Sequence, residues 1–310
     1  MRVLFVFRIH NHQNINPIIY NQSESLIKSG IEVGFFPISK GGLLYLKYYL
    51  KLRKHLKAVK YDLVHAHYGY TAILVGLANP GKTITSLMGS DIYRQLGITK
   101  FIIKQFSRHI WDKTIVKSRE MKAIIENSII ISNGVNLDLF KHANKEESRS
   151  IVGFNKKYNI IFVSVRPEEK VKNLKLAKQA IQLIKDDNIQ FHILNKIENN
   201  KLPSYYSAAD VVILTSVTEG SPNVIKEAMA CNCPIVCTDV GDIREVIGNT
   251  EGCYISALDP VELAENTKKA LQFSGTKGRT NGRQRIIEMG LDSQTVAKKL
   301  IGVYKSVLKS

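Results

Sequence analysis

Cysteine, long apolar runs and, in the first half, acidic residues are scarce in this chain of 310 residues. Its four cysteines all fall between Cys231 and Cys253, which does not make a disulfide framework and fits a reducing compartment. They lack the two C-x2-C pairs typical of zinc sites, so we expect buried thiols and no metal site. No run approaches the ~18 apolar residues of a membrane-spanning helix.

The chain opens on a short apolar run, Val3 to Phe7, that Arg8 interrupts. This run is too short for the core of a signal peptide and is typical of a first β-strand. We therefore expect the protein in the cytoplasm, either free or attached to the inner face of a membrane.

Positive charge is concentrated in the first half. Residues 1–145 hold 21 Lys/Arg against 8 Asp/Glu, whereas residues 146–310 hold 23 against 19. A basic half beside a nearly balanced half favours an anionic surface as a partner.

The segment Leu43–Lys60 carries much of this charge, because seven Lys/Arg and no acid lie between Glu32 and Asp62. Its apolar residues recur at helical spacing and are expected in the core: Tyr45, Tyr49, Leu52, Leu56 and Val59. Two interpretations remain open. The lysines belong to an ordinary solvated helix face, or they meet an anionic membrane surface, where each cation contributes roughly 1 kcal/mol. Further basic residues follow at Arg94, Lys100, Lys104 and Arg108.

Strand-like runs alternate with helical patterns, which predicts parallel α/β sheets. The runs in the first half are Val3–Phe7, Glu32–Phe36, Leu63–Ala66, Thr83–Leu87, Thr114–Val116 and Ile129–Ile131. A polar, charged segment, Lys141–Ser150, is the expected linker to a second domain.

One strand–helix–strand unit, residues 209–240, carries the candidate chemistry. A buried strand is followed by a polar loop in which Ser221 and Pro222 predict the N-cap and first residue of a helix. Glu219 then lies at the carboxyl end of a strand, and Glu227 lies just inside the helix. Ligands of open parallel sheets bind at this edge, and a helix N-terminus there favours an anion. Two glutamates eight residues apart are also compatible with solvated carboxylates.

The segment EGSPNVIKEAMACNCPIV, residues 219–236, resembles the E-x7-E segment of family 4 retaining glycosyltransferases. The resemblance extends over nearly the whole chain and implies the GT-B fold. This α/β fold has two Rossmann-like domains facing across a cleft and a C-terminal helix that crosses back to the first domain. The implied divisions are an acceptor-side domain at 1–145, a nucleotide-sugar-binding domain at 146–290 and the helix at 291–310.

The resemblance also implies roles for residues of the second domain. Arg166 and Lys172 are similar to the R…K pair of the family that clamps the donor diphosphate, with Lys170 as an alternative to Lys172, and Glu219 is expected at the sugar. These three are the expected catalytic residues. Glu227 is expected at the ribose, and the other donor-binding positions are Gly220, Ser221, Pro222, Asn223 and Val224.

Three residues of the first domain are expected on the acceptor side: His67, Met88 and Asp91. The segment Met88 to Asp91 resembles the H-G-x-D segment of the family, with Met88 in the place of a histidine. Methionine cannot replace the proton transfer or hydrogen-bond donation of that histidine. His65 and His67, without a nearby carboxylate, are weak as a metal pair, and a cleft wall is the preferred interpretation. The loop after the first strand, residues 8–17, lacks the glycines usual in the family.

The activity that the resemblance implies is transfer of a sugar, of the hexosyltransferase type, from a nucleotide-diphosphate sugar to a hydroxyl. A UDP-sugar donor is favoured, the anomeric configuration is retained, and no metal is required. A glycan or lipid-linked acceptor in surface polysaccharide assembly fits this activity.

One alternative function is a catalytically silent relative that binds glycan or protein, which Met88 and the glycine-free loop support. Charge alone suggests the other, a nucleic-acid-binding module, but no recognised motif accompanies it and we expect no nucleic-acid partner.

Overall fold

A computed structural model describes residues 1–9, 15–39, 44–93 and 97–310. The chain divides into two compact units, the first formed by Met1–Gly134 with Ser293–Ser310 and the second by Val135–Asp292. Predictions for the loop that follows the first strand, at residues 10–14, and for Arg94 fall outside the described residues.

The first unit contains a parallel sheet in the order β2-β1-β3-β4-β5-β6. All six predicted strands are present: β1 (Arg2–Arg8), β2 (Glu32–Ile38), β3 (Leu63–His67), β4 (Thr83–Ser86), β5 (Lys113–Val116) and β6 (Ile129–Ile130). Its helices before residue 134 are α1 (Pro17–Lys28), α2 (Leu44–Ala58), α3 (Gly69–Ala78), α4 (Ser90–Tyr93), α5 (Gly97–His109) and α6 (Arg119–Ile124). The central strands are continuous buried runs because helices cover both faces of the sheet.

The two faces of this sheet have separate cores. Leu4 and Val6 of β1 pack with residues of α2, α3 and α5. Val3 and Phe5 point to the other face and pack with residues of α1 and the C-terminal helix. This division follows from the alternation of side chains along a strand.

The second unit contains a parallel sheet in the order β11-β10-β9-β7-β8. Its strands are β7 (Tyr158–Val163), β8 (Ile189–Leu194), β9 (Val211–Leu214), β10 (Ile235–Thr238) and β11 (Cys253–Ser256). Its helices are α7 (Lys145–Val152), α8 (Leu174–Ile184), α9 (Leu202–Ala208), α10 (Asn223–Ala230), α11 (Ile243–Ile247), α12 (Pro260–Thr276) and α13 (Gly282–Glu288). A 3-10 turn, Lys170–Lys172, precedes α8.

The segment predicted as a linker is not one. Most of Lys141–Ser150 lies in α7, inside the second unit. The side chain of Asn144 caps this helix by accepting the N–H groups of Glu146 and Glu147, which explains why a polar sequence is helical here. The two units meet in sequence at Gly134–Val135, earlier than the expected division at residue 145.

The last helix, α14 (Ser293–Lys309), belongs to the first unit. Val296, Leu300 and Tyr304 are buried on one helical face, as their spacing of four predicts. The Tyr304 hydroxyl also meets His65 Nδ1 at 2.6 Å, so a polar contact ties this helix to β3. Among the described helices, none has the length and hydropathy needed to span a membrane.

Candidate active site

The loop between β9 and α10 carries Glu219 and is fastened to the turn before α8. The Thr215 hydroxyl donates to the carbonyl oxygens of Lys172 and Asn173, at 3.0 and 2.9 Å. The N–H of Val217 donates to the carbonyl of Val171 at 2.8 Å. These bonds bring together two segments that the sequence shows only as separate motifs.

Glu219 and Lys172 form an ion pair at this junction. Lys172 Nζ lies 2.6 Å from Glu219 Oε1, and the Ser216 hydroxyl donates to the same oxygen at 2.8 Å. The two side chains remain 29% and 18% exposed, so a ligand can reach both. The predicted diphosphate cation and the predicted sugar carboxylate are therefore direct neighbours.

Lys172 and Asn173 directly precede α8 and are not part of it. Lys172 ends a 3-10 turn, and Asn173 has a left-handed backbone, with φ of 50°, before α8 begins at Leu174. Asparagine tolerates this conformation better than most residues. The turn places Lys172 beside Glu219.

Arg166, the other predicted cation, lies beyond the end of β7. Its Nη1 donates to Glu169 Oε1 at 3.0 Å, and its side chain is 49% exposed. The contact is a surface ion pair of the kind that contributes little to stability, so the guanidinium is accessible to an anionic ligand.

Helix α10 begins one residue later than predicted, at Asn223, and Ser221 is not its cap. Pro222 occupies the N-cap position and makes no side-chain capping bond. The Ser221 hydroxyl instead donates to Asp242 Oδ2 at 2.8 Å. The first-turn N–H groups of α10 have no side-chain cap and remain suited to an anion.

Glu227 is buried, which rules out the interpretation as a solvated helix carboxylate. The hydroxyl of Tyr206, itself fully buried, donates to Glu227 Oε2 at 2.8 Å. Burial raises the pKa of Glu227 to about 7, and the Tyr206 hydroxyl and the Lys226 ammonium oppose this rise. Glu227 thus changes charge near neutral pH.

A buried ion pair beside these glutamates was not predicted. Lys226 is 1% exposed, and its Nζ lies 2.9 Å from Asp242 Oδ2 and also contacts the Ser221 hydroxyl. Asp242 occupies the N-cap position of α11 but makes no side-chain capping bond there. The sequence sign of this burial is that Lys226 directly follows Ile225, within the apolar pattern of α10. The pair holds the start of α10 against the loop that follows β10.

Gly241 lies in that second loop and packs directly on the first. Its φ is +64°, and a Cβ at this position would lie 2.7 Å from the carbonyl oxygen of Gly220. A real Cβ atom cannot approach a backbone oxygen so closely, so the two loops fit together only with glycine here.

Gly241→Ala is therefore expected to destabilise the protein more than Gly278→Ala. Gly278 also has a positive φ, +79°, but no atom lies within 4 Å of its added Cβ. Backbone strain of about 1–2 kcal/mol applies to both variants, and steric overlap adds about 1–3 kcal/mol at Gly241. Urea denaturation measures both values. Equal losses of stability in the two variants would contradict the contact between the loops.

Asp91, predicted on the acceptor side, is buried and organises two loops of the first unit. Its carboxylate accepts the N–H groups of Gly69, Met88 and Gly89, at 3.0, 2.9 and 2.8 Å. Burial raises its pKa, and these backbone donors oppose the rise. Met88 follows β4 and is half-buried. The acceptor role of both residues stays a prediction.

His67, predicted as part of a cleft wall on the acceptor side, is buried. It is 1% exposed, and its ring packs against the rings of Phe5 and His65, with centroids 4.7 and 4.4 Å away. Burial, together with the charge of Lys117, lowers its pKa to about 3, so it is neutral at physiological pH. Within the described part of the chain, no three His, Cys, Asp or Glu side chains cluster as metal ligands do.

Two family models match the chain. One, described as Glycosyltransferase Family 4, matches residues 19–139, and the other, described as Glycosyl transferases group 1, matches residues 189–272. The second match contains Glu219, Glu227 and the buried pair beside them. This chain belongs to glycosyltransferase family 4.

Curated relatives agree with this family. The teichuronic acid biosynthesis glycosyltransferase TuaC of Bacillus subtilis is 26% identical over 66% of this chain and 60% of its own length. The capsular polysaccharide biosynthesis glycosyltransferase CapM of Staphylococcus aureus is 26% identical over 70% of this chain and 49% of its own length. The family 4 chain thus spans less than two thirds of either relative.

Solved structures show that the fold is GT-B, as predicted. Sucrose-phosphate synthase from Thermosynechococcus elongatus aligns over 100% of both chains, with a TM-score of 0.83 and 17% identity. Anabaena HepE in complex with UDP and glucose aligns over 99% of this chain and 100% of its own, with a TM-score of 0.78 and 16% identity.

Proposed function

We propose that this family 4 chain is a retaining glycosyltransferase that moves one sugar from a nucleotide-diphosphate sugar to an acceptor hydroxyl. The observation that carries the proposal is the Lys172–Glu219 ion pair, which lies close in sequence to the first turn of α10. Glu227 is buried about one turn further along that helix. These groups supply a cation, an anion-binding helix terminus and hydrogen-bond acceptors for hydroxyl groups.

The donor is proposed to be a UDP-sugar and the acceptor a glycan on a lipid carrier at a membrane. Anabaena HepE, which has the same fold, was solved with UDP and glucose. TuaC and CapM are named for biosynthesis of teichuronic acid and capsular polysaccharide. Assembly of a surface polysaccharide by this chain is the corresponding proposal.

Each group has a proposed position against the donor. Glu219 accepts hydrogen bonds from sugar hydroxyls, and Glu227 accepts them from the ribose. The backbone N–H groups near the start of α10 face the diphosphate, where the positive end of the helix favours negative charge. Arg166 and Lys172 add two cations at the same diphosphate.

In the proposed step, the bond between the anomeric carbon and the diphosphate oxygen breaks, and a bond from that carbon to the acceptor oxygen forms on the same face. The leaving phosphate oxygen takes the proton of the acceptor hydroxyl, which balances the reaction without a side-chain base. Negative charge on the diphosphate grows as its bond breaks, so the cations stabilise the transition state more than the ground state. No metal ion is required by this scheme.

Met88 favours a second candidate function, a catalytically silent relative that binds glycan or protein. It occupies the position where the family has a histidine, and a thioether cannot donate a hydrogen bond. A turnover assay of the parent and Met88→His separates the two functions. An inactive parent with an active Met88→His variant would establish the silent relative.

A nucleotide is expected to stabilise the protein, and Arg166→Ala is expected to weaken this effect. A ligand that binds only the native state adds about 2.7 kcal/mol of stability at 100 times its Kd. A charge-assisted hydrogen bond contributes about 1.5–3 kcal/mol, so loss of Arg166 should raise the Kd about 10- to 100-fold. Thermal shifts with UDP, GDP, ADP and CMP provide the measurement.

Arg244→Ala is the matched control, because Arg244 is also an arginine of the second unit in a surface ion pair, with Asp239. It should leave the nucleotide shift unchanged. Absence of a shift with all four nucleotides would overturn the proposed donor site. An equal decrease of the nucleotide thermal shift in both arginine variants would show that Arg166 has no specific role in nucleotide binding.

A further inference from the structure

Helices α2 and α5 of the first unit expose large apolar side chains. Leu46 and Leu50 on α2 are 66% and 60% exposed, and Ile98 and Phe101 on α5 are 77% and 62% exposed. Ile102, one residue further on α5, is also exposed. These five residues, here called the docking face, are spaced by three or four along each helix and so lie on one side of it.

The two helices cover the same face of the sheet, with α3 between them. Residues of α2, α3 and α5 share one core, which includes Leu52, Val75 and Ile103. The Tyr70 hydroxyl of α3 contacts the Thr99 hydroxyl at the start of α5, at 3.4 Å. Tyr70 is also near enough to Tyr45 of α2 to affect its pKa. The exposed apolar residues near the helix starts therefore lie along one side of the unit.

The charged residues on the two helices are all Lys or Arg, with no Asp or Glu. Exposed lysines on α2 and α5 include Lys47, Lys51, Lys54, Lys57 and Lys104. No Asp or Glu occurs between Glu32 and Asp62 or between Asp91 and Asp112. Four residues of the predicted apolar stripe of α2 pack in the core: Tyr45, Tyr49, Leu52 and Leu56. The docking face is therefore a second, outward-facing apolar set.

We propose that the docking face binds an anionic lipid bilayer. Its aliphatic and aromatic side chains enter the boundary between headgroups and acyl chains, and the neighbouring lysines meet the lipid phosphates. A second copy of this chain fits less well, because two such surfaces carry charge of the same sign. A nucleic acid has no surface that would bury exposed leucine and isoleucine side chains, whereas a bilayer does. The proposal goes beyond sugar transfer, since binding requires no catalysis.

Sedimentation with vesicles tests the proposal. The full chain should sediment with phosphatidylcholine vesicles that contain phosphatidylglycerol and bind vesicles of phosphatidylcholine alone at least about tenfold more weakly, because each lysine adds attraction to anionic lipid. Ile98→Ser/Phe101→Ser should weaken anionic-vesicle binding by about tenfold or more, since the apolar area no longer leaves water. Ile151→Ser changes an equally exposed isoleucine of the second unit, 73% exposed, and should have no effect.

A fluorescence experiment gives a positive signal from the same surface. The single tryptophan, Trp111, is buried and packs against Phe106, so it reports the fold and contributes a constant background. Phe101→Trp should shift to the blue with anionic vesicles and be quenched by lipids brominated on their acyl chains. Ile151→Trp should do neither.

The proposal would be overturned by no binding to anionic vesicles, by equal losses of vesicle binding in the double variant and in Ile151→Ser, or by no blue shift of Phe101→Trp. Concentration-dependent dimerisation that the double variant abolishes would assign the face to a second copy instead. Nucleotide thermal shifts should be unchanged in Ile98→Ser/Phe101→Ser. Vesicle binding without any nucleotide shift would reject the proposed function and leave the membrane surface standing.

Discussion

Glu219→Ala is expected to reduce kcat for sugar transfer by about 10²–10³-fold, the loss typical of removing one group that stabilises a transition state. Glu219 holds Lys172 at 2.6 Å and accepts the Ser216 hydroxyl, so its loss removes a sugar contact and releases the diphosphate cation. The pair is partly exposed, so the fold should remain intact. Turnover of the donor and the Tm of the variant are measured together.

The matched control is Glu198→Ala, which removes an exposed glutamate of the same unit from its ion pair with Lys201. It should leave both kcat and Tm unchanged. Lys172→Met and the double variant complete a mutant cycle, and coupled losses are expected because the two side chains are in contact. Full activity of Glu219→Ala would remove this glutamate from the site.

Glu227→Gln is expected to change how stability depends on pH. Glu227 has a pKa of about 7 in the folded protein, above its ordinary value of 4.5, so the folded state binds its proton more tightly than the unfolded state. The free energy of unfolding should therefore fall as pH rises from about 4.5 to about 7, by ~3 kcal/mol in total. The glutamine variant keeps the shape but cannot ionise and should lack this fall. Urea denaturation across this pH range at constant ionic strength measures the difference.

Tyr206→Phe sharpens this experiment. The Tyr206 hydroxyl lowers the pKa of folded Glu227, so its removal should extend the pH-dependent fall in stability to higher pH. Glu227→Ala should in addition weaken nucleotide binding by about 10- to 100-fold, if the carboxylate accepts ribose hydroxyls. The same pH dependence in wild type and Glu227→Gln would contradict the elevated pKa, and unchanged nucleotide affinity in Glu227→Ala would contradict the ribose contact.

Local pattern alone determined most of the secondary structure. The six strand-like runs of the first half overlap the six strands of the first sheet, and a buried strand, Val211–Leu214, precedes the loop that carries Glu219. Strands that are buried on both faces are continuous apolar runs in the sequence. Their positions along the chain could therefore be predicted without knowing how they pair in the sheet. The family was equally visible, because residues 219–236 carry its pattern in one contiguous segment.

Only the tertiary structure decided which polar groups meet. Lys172 and Glu219 are 47 residues apart, and His65 and Tyr304 are 239 apart, so no local pattern joins them. Burial of Lys226 depended on a partner, Asp242, from another loop, since an unpaired lysine is rarely buried. The exposed apolar face of α2 was not predicted for a related reason, since Leu46 and Leu50 alternate along one helix with core residues such as Leu52. Sequence spacing shows the period of such a helix, and contacts with the sheet decide which face is buried.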